Sequence, residues 1–128
     1  MFGVAVIGAG RIGTLHLRNL CAIPGVRVVI VADAERGAAE RGKALADAER
    51  ATDDVEAAIC HPAVDAVVIA TPTPTHARLI ALAAEAGKAI WCEKPVALNL
   101  GEAEQAAAVV ESKRLPAQVG FMRRFDPG

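Results

Sequence analysis

The sequence predicts an α/β fold, with a single domain built on a doubly wound parallel sheet. Three observations indicate it. Short apolar runs alternate with helical segments from one end of the chain to the other. The first apolar run, Phe2–Ile7, leads directly into a glycine-rich turn at Gly8–Gly13. The chain has 128 residues, of which 53% are apolar, so one domain can bury a core without disulfides or a metal.

The first half of the chain is predicted to contain three strands and three helices. Phe2–Ile7 is apolar on both faces, as in a strand inside a parallel sheet. Arg11–Ala22 carries Ile and Leu at roughly helical spacing and ends before Pro24 and Gly25. Val26–Ala32 is a strand because β-branched residues dominate it. Composition then predicts an Ala-rich helix over Glu35–Asp47, a short strand near Glu49–Ala51, and a brief helix that Thr52 caps and that ends at Cys60.

The second half continues the alternation. Asp65–Ala70 is predicted to be a buried strand, and Thr71–His76 a loop that two prolines stiffen. The next helix, His76–Ala86, ends at Gly87. The remaining elements are a strand over Lys88–Cys92, a helix that a capping box at Asn99 and Glu102 begins and that continues to about Lys113, and a strand over Pro116–Gly120.

The connections between these elements also predict the order of the strands. Right-handed crossovers and an arrangement in two halves give the order 3-2-1-4-5-6. Ligands of such a sheet bind beyond the carboxyl ends of its strands, at the point where the order reverses. Every motif described below follows a predicted strand.

Composition excludes several classes of partner. The 14 basic and 15 acidic residues are mixed along the chain, so neither nucleic acid nor an anionic membrane is expected as a partner. The apolar runs are too short to span a bilayer, and no leader-like segment precedes the first strand. The three cysteines, Cys21, Cys60 and Cys92, form no CxxC pair. We therefore expect reduced cysteines, no metal site and a cytoplasmic location.

The glycine-rich turn has the GxGxxG pattern of a Rossmann dinucleotide-binding turn. Gly8 permits the tight turn, Gly10 lets a pyrophosphate approach the backbone, and Gly13 lets the helix pack close to the strand. The free N–H groups at the start of this helix, at Arg11 and Ile12, would point at the phosphates. The alternative is a tight turn that binds no ligand.

Asp33 ends the second predicted strand, 20 positions after Gly13. Its carboxylate would accept hydrogen bonds from the adenosine ribose and repel a 2′-phosphate, so NAD is favoured over NADP. Arg36 is the feature that could reverse this choice, because a guanidinium nearby can bind that phosphate. The alternative for Arg36 is a solvated side chain in the first turn of a helix.

The loop after the fourth strand is predicted to form a wall against the cofactor, through Thr71 and Pro72. His76 falls in the first turn of the next helix, where the helix dipole favours a neutral imidazole. We expect His76 to contact the cofactor, with hydrogen bonds to local backbone as the alternative and a role as catalytic base a more distant one. His16 and His61 are interpreted as a helix residue and a loop residue before proline.

Glu93, Lys94 and Pro95 follow the fifth strand and are assigned to the nicotinamide side of the cofactor. Lys94 is the candidate catalytic residue, because a cation there can bind a substrate oxygen and stabilise charge that develops on it. The Lys94–Pro95 bond is a candidate cis peptide. By spacing alone, a surface Lys-Pro turn explains the motif equally well.

Several of these motifs occur in an order that resembles one family. They are Gly8–Gly13, Ala70–Pro72 with His76, Cys92–Pro95 and Val119–Asp126. Together they resemble the glucose–fructose oxidoreductase / inositol dehydrogenase (Gfo/Idh/MocA) family of NAD(P)-dependent sugar oxidoreductases, over the whole chain. The last stretch resembles the inositol dehydrogenase branch.

The resemblance implies an oxidoreductase that acts on CH–OH groups, with Lys94 binding and polarising the substrate. It also implies a C-terminal domain that carries much of the substrate pocket, the general base and the interface of a homo-oligomer. We therefore expect residues 1–120 to form the dinucleotide-binding domain and residues 121–128 to begin the connection to a missing second domain. The isolated chain is then expected to bind NAD(H) but to turn over substrate poorly, and to self-associate through apolar surface near Val119–Phe125.

Two other functions remain open at this point. A stand-alone NAD(H)-sensing or partner-binding module would explain the short chain and the absent base. A nucleotide-sugar or S-adenosylmethionine binder would also use the spacing of Asp33. Glu93–Pro95 favours the dehydrogenase over both.

Overall fold

A computed structural model describes residues 1–120 as a six-stranded, fully parallel sheet with helices on both faces. The connection predicted at residues 121–128 lies outside the described residues. The strands are β1 (Phe2–Ile7), β2 (Val26–Ala32), β3 (Arg50–Thr52), β4 (Ala66–Ile69), β5 (Ala89–Glu93) and β6 (Ala117–Gly120). The helices are α1 (Arg11–Cys21), α2 (Arg36–Ala46), α3 (Val55–Ile59), α4 (His76–Glu85) and α5 (Leu100–Lys113), and a short 3-10 turn at Thr73–Thr75 precedes α4.

The predicted strand order is confirmed as β3-β2-β1-β4-β5-β6. β1 is central: its Val6 pairs with Val31 of β2 on one side and with Val68 of β4 on the other. The order reverses between β1 and β4, because the chain grows outward from β1 to β3 and then returns to start the second half. The connections that leave the carboxyl ends of β1 and β4 therefore run to opposite faces of the sheet, which leaves a crevice between them.

Two hydrophobic cores lie on opposite faces of the sheet. Side chains alternate along each strand, so Val4 and Val6 of β1 lie in one core and Ala5 and Ile7 lie in the other. α1 and α2 pack on the first face, and α3, α4 and α5 cover the second. Burial on both faces explains why the central strands are continuous apolar runs rather than alternating ones.

Helix α3 begins differently from the prediction. Its N-cap is Asp54, whose Oδ1 accepts a hydrogen bond from the Ala57 amide at 3.0 Å. The predicted cap, Thr52, is wrong because this residue is still paired in the sheet, as the partner of Ala32. Its hydroxyl instead accepts a hydrogen bond from the Asp54 amide at 3.0 Å, which orients the capping residue.

Helix α5 begins where the capping box predicts. Asn99 is its N-cap, and Asn99 Oδ1 accepts a hydrogen bond from the Glu102 amide at 2.9 Å. The predicted stop after α4 is also in place, because Gly87 has a φ of +76°, which favours glycine. None of the helices within residues 1–120 combines the length and the apolarity needed to cross a membrane.

Candidate functional site

A cleft of about 620 Å³ opens at the carboxyl edge of the sheet, where the strand order reverses. Its volume lies within the range of about 300–1,000 Å³ that is typical of small-molecule and cofactor sites. The residues that line it come from the loops after β1, β2 and β4 and from three helices, α1, α3 and α4: Gly8, Gly10, Arg11, Ile12, Asp33, Ala34, Val55, Ala70, Thr71, Pro72, Thr75, Arg78 and Leu79. The fold therefore brings together most of the residues that the sequence singled out.

The three glycines of the turn face very different surroundings. Gly8 has a φ of +99°, and a Cβ there would lie 2.5 Å from the carbonyl oxygen of Ala70. A Cβ on Gly13 would overlap the carbonyl oxygen of Gly8, so only glycine lets α1 lie this close to β1. A Cβ on Gly10 would meet nothing within 4 Å. The backbone at Gly10 is thus open for another molecule to approach.

The start of α1 offers amide donors toward the cleft. Its N-cap is Gly10, which has no side chain to cap the helix. The first hydrogen bond within the helix runs from the Thr14 amide to the Gly10 carbonyl at 2.9 Å. The amides of Arg11, Ile12 and Gly13 come before it and therefore have no acceptor within the helix. Such a helix end is a ready site for an anion, since free N–H groups and the helix dipole act together.

Asp33 borders the cleft and also holds the glycine-rich turn in place. Its Oδ2 accepts a hydrogen bond from the Ala9 amide at 2.8 Å, and its Oδ1 accepts one from the Glu35 amide at 2.8 Å. A carboxylate has about four lone-pair sites, so both oxygens can still accept bonds from ligand hydroxyls. The contact with Ala9 is a structural role that the sequence did not predict.

Arg36 does not line the cleft. It is exposed, and its Nε lies 3.7 Å from Glu40 Oε1. It lines a separate hollow of about 420 Å³, together with Lys43 and Arg50. Among the described residues, the group that borders the cleft at the end of β2 is therefore the Asp33 carboxylate rather than this guanidinium.

The loop after β4 forms one wall of the cleft through Thr71 and Pro72. The Thr71 and Thr75 hydroxyls lie 2.6 Å apart, and Thr75 also donates to the Pro72 carbonyl at 2.7 Å. Val55 and Arg78 complete the wall and were not predicted from the sequence. They belong to α3 and α4, and only the packing of these helices brings them to the cleft.

His76 is buried behind this wall rather than in it. Only 1% of the residue is exposed. Its Nδ1 lies 2.7 Å from the carbonyl oxygen of Pro95, and its Nε2 lies 2.7 Å from the carbonyl oxygen of Thr71. The geometry thus matches the alternative interpretation, hydrogen bonds to backbone, and leaves neither ring nitrogen directed at the cleft for the expected contact.

The turn after β5 does not line the cleft, and His76 connects its Pro95 to the wall residue Thr71. Lys94 is exposed there, and the Lys94–Pro95 peptide bond is cis, as expected from the sequence. Glu93 points elsewhere: its Oε1 lies 2.8 Å from His16 Nε2 of α1, and both side chains are largely buried. The His16 ring also packs edge-on against Trp91, with the ring centroids 4.4 Å apart. His16 therefore anchors the strand that presents Lys94, a role that its helical position did not reveal.

Cys92 is the buried residue of the same strand. Burial, together with the negative charge of Glu93, raises the pKa of the Cys92 thiol from 9.0 to about 12. A thiol with such a pKa stays protonated at neutral pH, so Cys92 is not a nucleophile. This agrees with its interpretation as a packing residue.

The fold and the cleft together define a dinucleotide-binding Rossmann domain. Its open glycine backbone, its uncapped helix start and the carboxylate after β2 are the parts that such a domain uses. A family model described as "Oxidoreductase family, NAD-binding Rossmann fold" matches residues 2–121. The chain belongs to this family, the Gfo/Idh/MocA oxidoreductases, and the resemblance found in the sequence is confirmed.

The chain is similar to inositol dehydrogenases in sequence and in structure. It is 44% identical over 124 residues to the scyllo-inositol 2-dehydrogenase (NAD(+)) of Bacillus subtilis, which covers 96% of this chain and 36% of that protein. It is 46% identical over 123 residues to the inositol 2-dehydrogenase of Rhizobium meliloti, again with 36% of that protein covered. It matches the structure of scyllo-inositol dehydrogenase from Lactobacillus casei, with bound cofactor NAD(H) and scyllo-inositol, at a TM-score of 0.92, 29% identity and 99% coverage of this chain. The chain spans 38% of that last protein, so it corresponds to little more than a third of these relatives.

Proposed function

We propose that this chain is the NAD(H)-binding domain of a polyol or sugar dehydrogenase of the inositol 2-dehydrogenase type. The reaction is the oxidation of a secondary alcohol, which loses a hydride from the carbinol carbon and a proton from the hydroxyl to give a ketone. One observation carries the proposal. The glycine-rich turn, the uncapped start of α1 and the Asp33 carboxylate all meet in one cleft of about 620 Å³.

The residues of the cleft fit a dinucleotide. A Cβ at Gly10 would meet nothing within 4 Å, whereas those at Gly8 and Gly13 would collide with backbone, so the turn is open only where a diphosphate must approach. The amides of Arg11 and Ile12 would hold the phosphates, and Asp33 the adenosine ribose. Bound NAD supplies the hydride acceptor of the reaction.

Lys94 is the residue of this chain that we assign to the substrate. Its ammonium group would donate a hydrogen bond to the reacting oxygen and favour the charge that develops there. We assign the proton acceptor to the part of the protein that lies beyond this chain, since the relatives are nearly three times as long. His76 is a poor candidate for that acceptor, because both of its ring nitrogens face backbone carbonyls.

Asp33 supports NAD rather than NADP as the preferred cofactor. A 2′-phosphate on the ribose would meet this carboxylate, and Arg36 lines a different hollow. The three cysteines are free thiols, one of them buried, which supports a reducing, cytoplasmic environment.

The decisive experiment is a calorimetric titration of the chain with NAD+, NADH, NADP+ and NADPH. We expect both NAD forms to bind and both NADP forms to bind at least about tenfold more weakly, since like charges face each other there. The Asp33→Asn variant should lose most of this preference and bind NADH more weakly than the natural chain. Tighter binding of NADPH would refute the role of Asp33, and binding of none of the four would refute the proposed function.

A further inference from the structure

The buried imidazole of His76 joins the loops that leave β4 and β5. It contacts the carbonyl oxygen of Thr71 through Nε2 and that of Pro95 through Nδ1, each at 2.7 Å. The first carbonyl belongs to the wall of the cleft, and the second belongs to the turn that carries Lys94. One side chain therefore connects the wall of the cleft to the turn that we assign to the substrate.

Both partners of the His76 ring are acceptors. A backbone carbonyl cannot donate a hydrogen bond, and a neutral imidazole has only one N–H. In a neutral ring, one of the two contacts would bring a nitrogen lone pair against a carbonyl oxygen at 2.7 Å. Only a ring with N–H on both nitrogens satisfies the two carbonyls at once, which differs from the neutral ring expected from the position of His76 in the first turn of α4.

The two carbonyl oxygens give an acceptor to each N–H of such a ring. The charged side chains next to them in the chain are Glu93 and Lys94. Glu93 is held by His16 at 2.8 Å, and Lys94 is exposed. The hydrogen bonds of His76 thus run to backbone alone, so the ring acts as a two-ended donor between two loops.

We propose that His76 is a positioning residue, a doubly protonated ring that sets the place of the Lys94–Pro95 turn relative to the cleft. The proposal rests on the proposed function, because it assigns this turn to the nicotinamide side. In a doubly wound sheet each half binds one mononucleotide. Asp33 follows β2 and marks the adenosine half, whereas Lys94 follows β5 in the other half. The ring therefore acts on the half of the site where the reaction takes place.

The protonation of the ring can be measured without any cofactor. Two-bond ¹H–¹⁵N correlation spectra of the natural 128-residue chain report whether each ring nitrogen carries a proton. We expect both ring nitrogens of His76 to carry a proton in the folded chain, with the signals assigned by their loss in His76→Gln. A ring with a single N–H would overturn the proposal, whatever the chain binds.

The positioning role can be separated from a general loss of structure by two variants. The amide of Gln reaches the position of Nε2 and keeps the bond to Thr71, whereas the shorter Asn reaches the position of Nδ1 and keeps the bond to Pro95. Each variant is titrated with NADH and with ADP-ribose, which lacks the nicotinamide. The ratio of the two affinities isolates the nicotinamide half of the site.

We expect His76→Gln to lower the affinity for NADH by about tenfold, as for one lost hydrogen bond to a charged group, and to leave ADP-ribose binding unchanged. His76→Asn should keep the natural ratio of the two affinities. Equal losses for both ligands in His76→Gln would refute the positioning role. Should the natural chain bind neither ligand, the proposed function would fail instead, and the spectra would still decide the state of the ring.

Discussion

At the scale of single residues, the turn after β1 contains two glycines whose substitution should have opposite effects. Gly13→Ala places a Cβ on the carbonyl oxygen of Gly8, so α1 must move away from β1. We expect the free energy of unfolding to fall by about 1–3 kcal/mol, as for other overpacked sites. Gly10→Ala adds a methyl group to open space and should leave stability almost unchanged.

The same pair of variants separates folding from binding. Thermal unfolding measures the first, and calorimetric titration with NADH measures the second. Gly10→Ala should fold normally and still bind NADH poorly, because its methyl group occupies the approach to the backbone. Full NADH affinity in Gly10→Ala would show that the ligand does not pass over this turn.

The buried thiol of Cys92 predicts a dependence of stability on pH. Its pKa is raised from 9.0 to about 12 in the folded chain, so the unfolded chain ionises first as the pH rises. The contribution of the protonated Cys92 thiol to the free energy of unfolding is complete below pH 9 and is lost progressively as the pH rises toward about 12. Denaturant unfolding at several pH values measures it, and Cys92→Ala should show a flatter decline than the natural chain over that range. Equal slopes for both chains would contradict the prediction.

At the scale of elements, the cap of α3 is the clearest local determinant. Asp54→Ala removes the acceptor of the Ala57 amide, and we expect a loss of about 0.5–2 kcal/mol in the free energy of unfolding. Asp53→Ala, which removes the exposed carboxylate next in sequence, is the matched control. Urea unfolding compares the two, and an equal effect of both variants would show that charge, not capping, stabilises the helix.

The elements also show which parts of the fold follow from the sequence. β1 and β2 have the predicted bounds because both are apolar runs rich in β-branched residues, and a glycine-rich turn ends β1 whereas Pro24 and Gly25 precede β2. β3 is displaced by one residue, since only three residues pair, at the edge of the sheet. The cap of α3 was misassigned because Thr52 and Asp54 are both good capping residues, and only pairing in the sheet decides between them.

The residues of the site also fall into a group that the sequence predicts and a group that it does not. Gly8, Gly10 and Asp33 line the cleft as predicted, because the spacing that indicates them is local in the sequence. The contact of His16 with Glu93 joins residues 77 positions apart, so no spacing predicts it. Arg78 reaches the cleft only because α4 packs there. Contacts that depend on packing between elements are thus the part that the sequence does not reveal.

At the scale of the whole molecule, the face of the sheet beside α1 predicts self-association. A hollow of about 710 Å³ lies there, lined largely by apolar residues such as Trp91 and Ile23. Phe2 and Ile23 on its rim are 48% and 47% exposed. Of the patch expected at Val119–Phe125, only the first two residues are described. We expect the chain to form dimers or larger species at high concentration, because such apolar surface favours association.

Light scattering over a range of concentrations measures this association. Ile23→Glu should shift the chain toward the monomer, because it places a charge on the rim of the hollow. Leu45→Glu, at an exposed apolar residue of α2 that does not line the hollow, is the control. A monomer at every concentration would count against the prediction.

The central place of β1 has a consequence for synthesis on the ribosome. β1 emerges before the other five strands of this sheet, yet one of its two edges pairs with β4, whose residues are Ala66–Ile69. Until those residues leave the exit tunnel, the nascent chain carries an open, apolar strand edge of the kind that recruits other strands. The glycine-rich turn and the β1–β2 pair can form early, but the second edge of β1 stays unpaired, and the cleft lacks the wall after β4, until β4 and its loop have been translated.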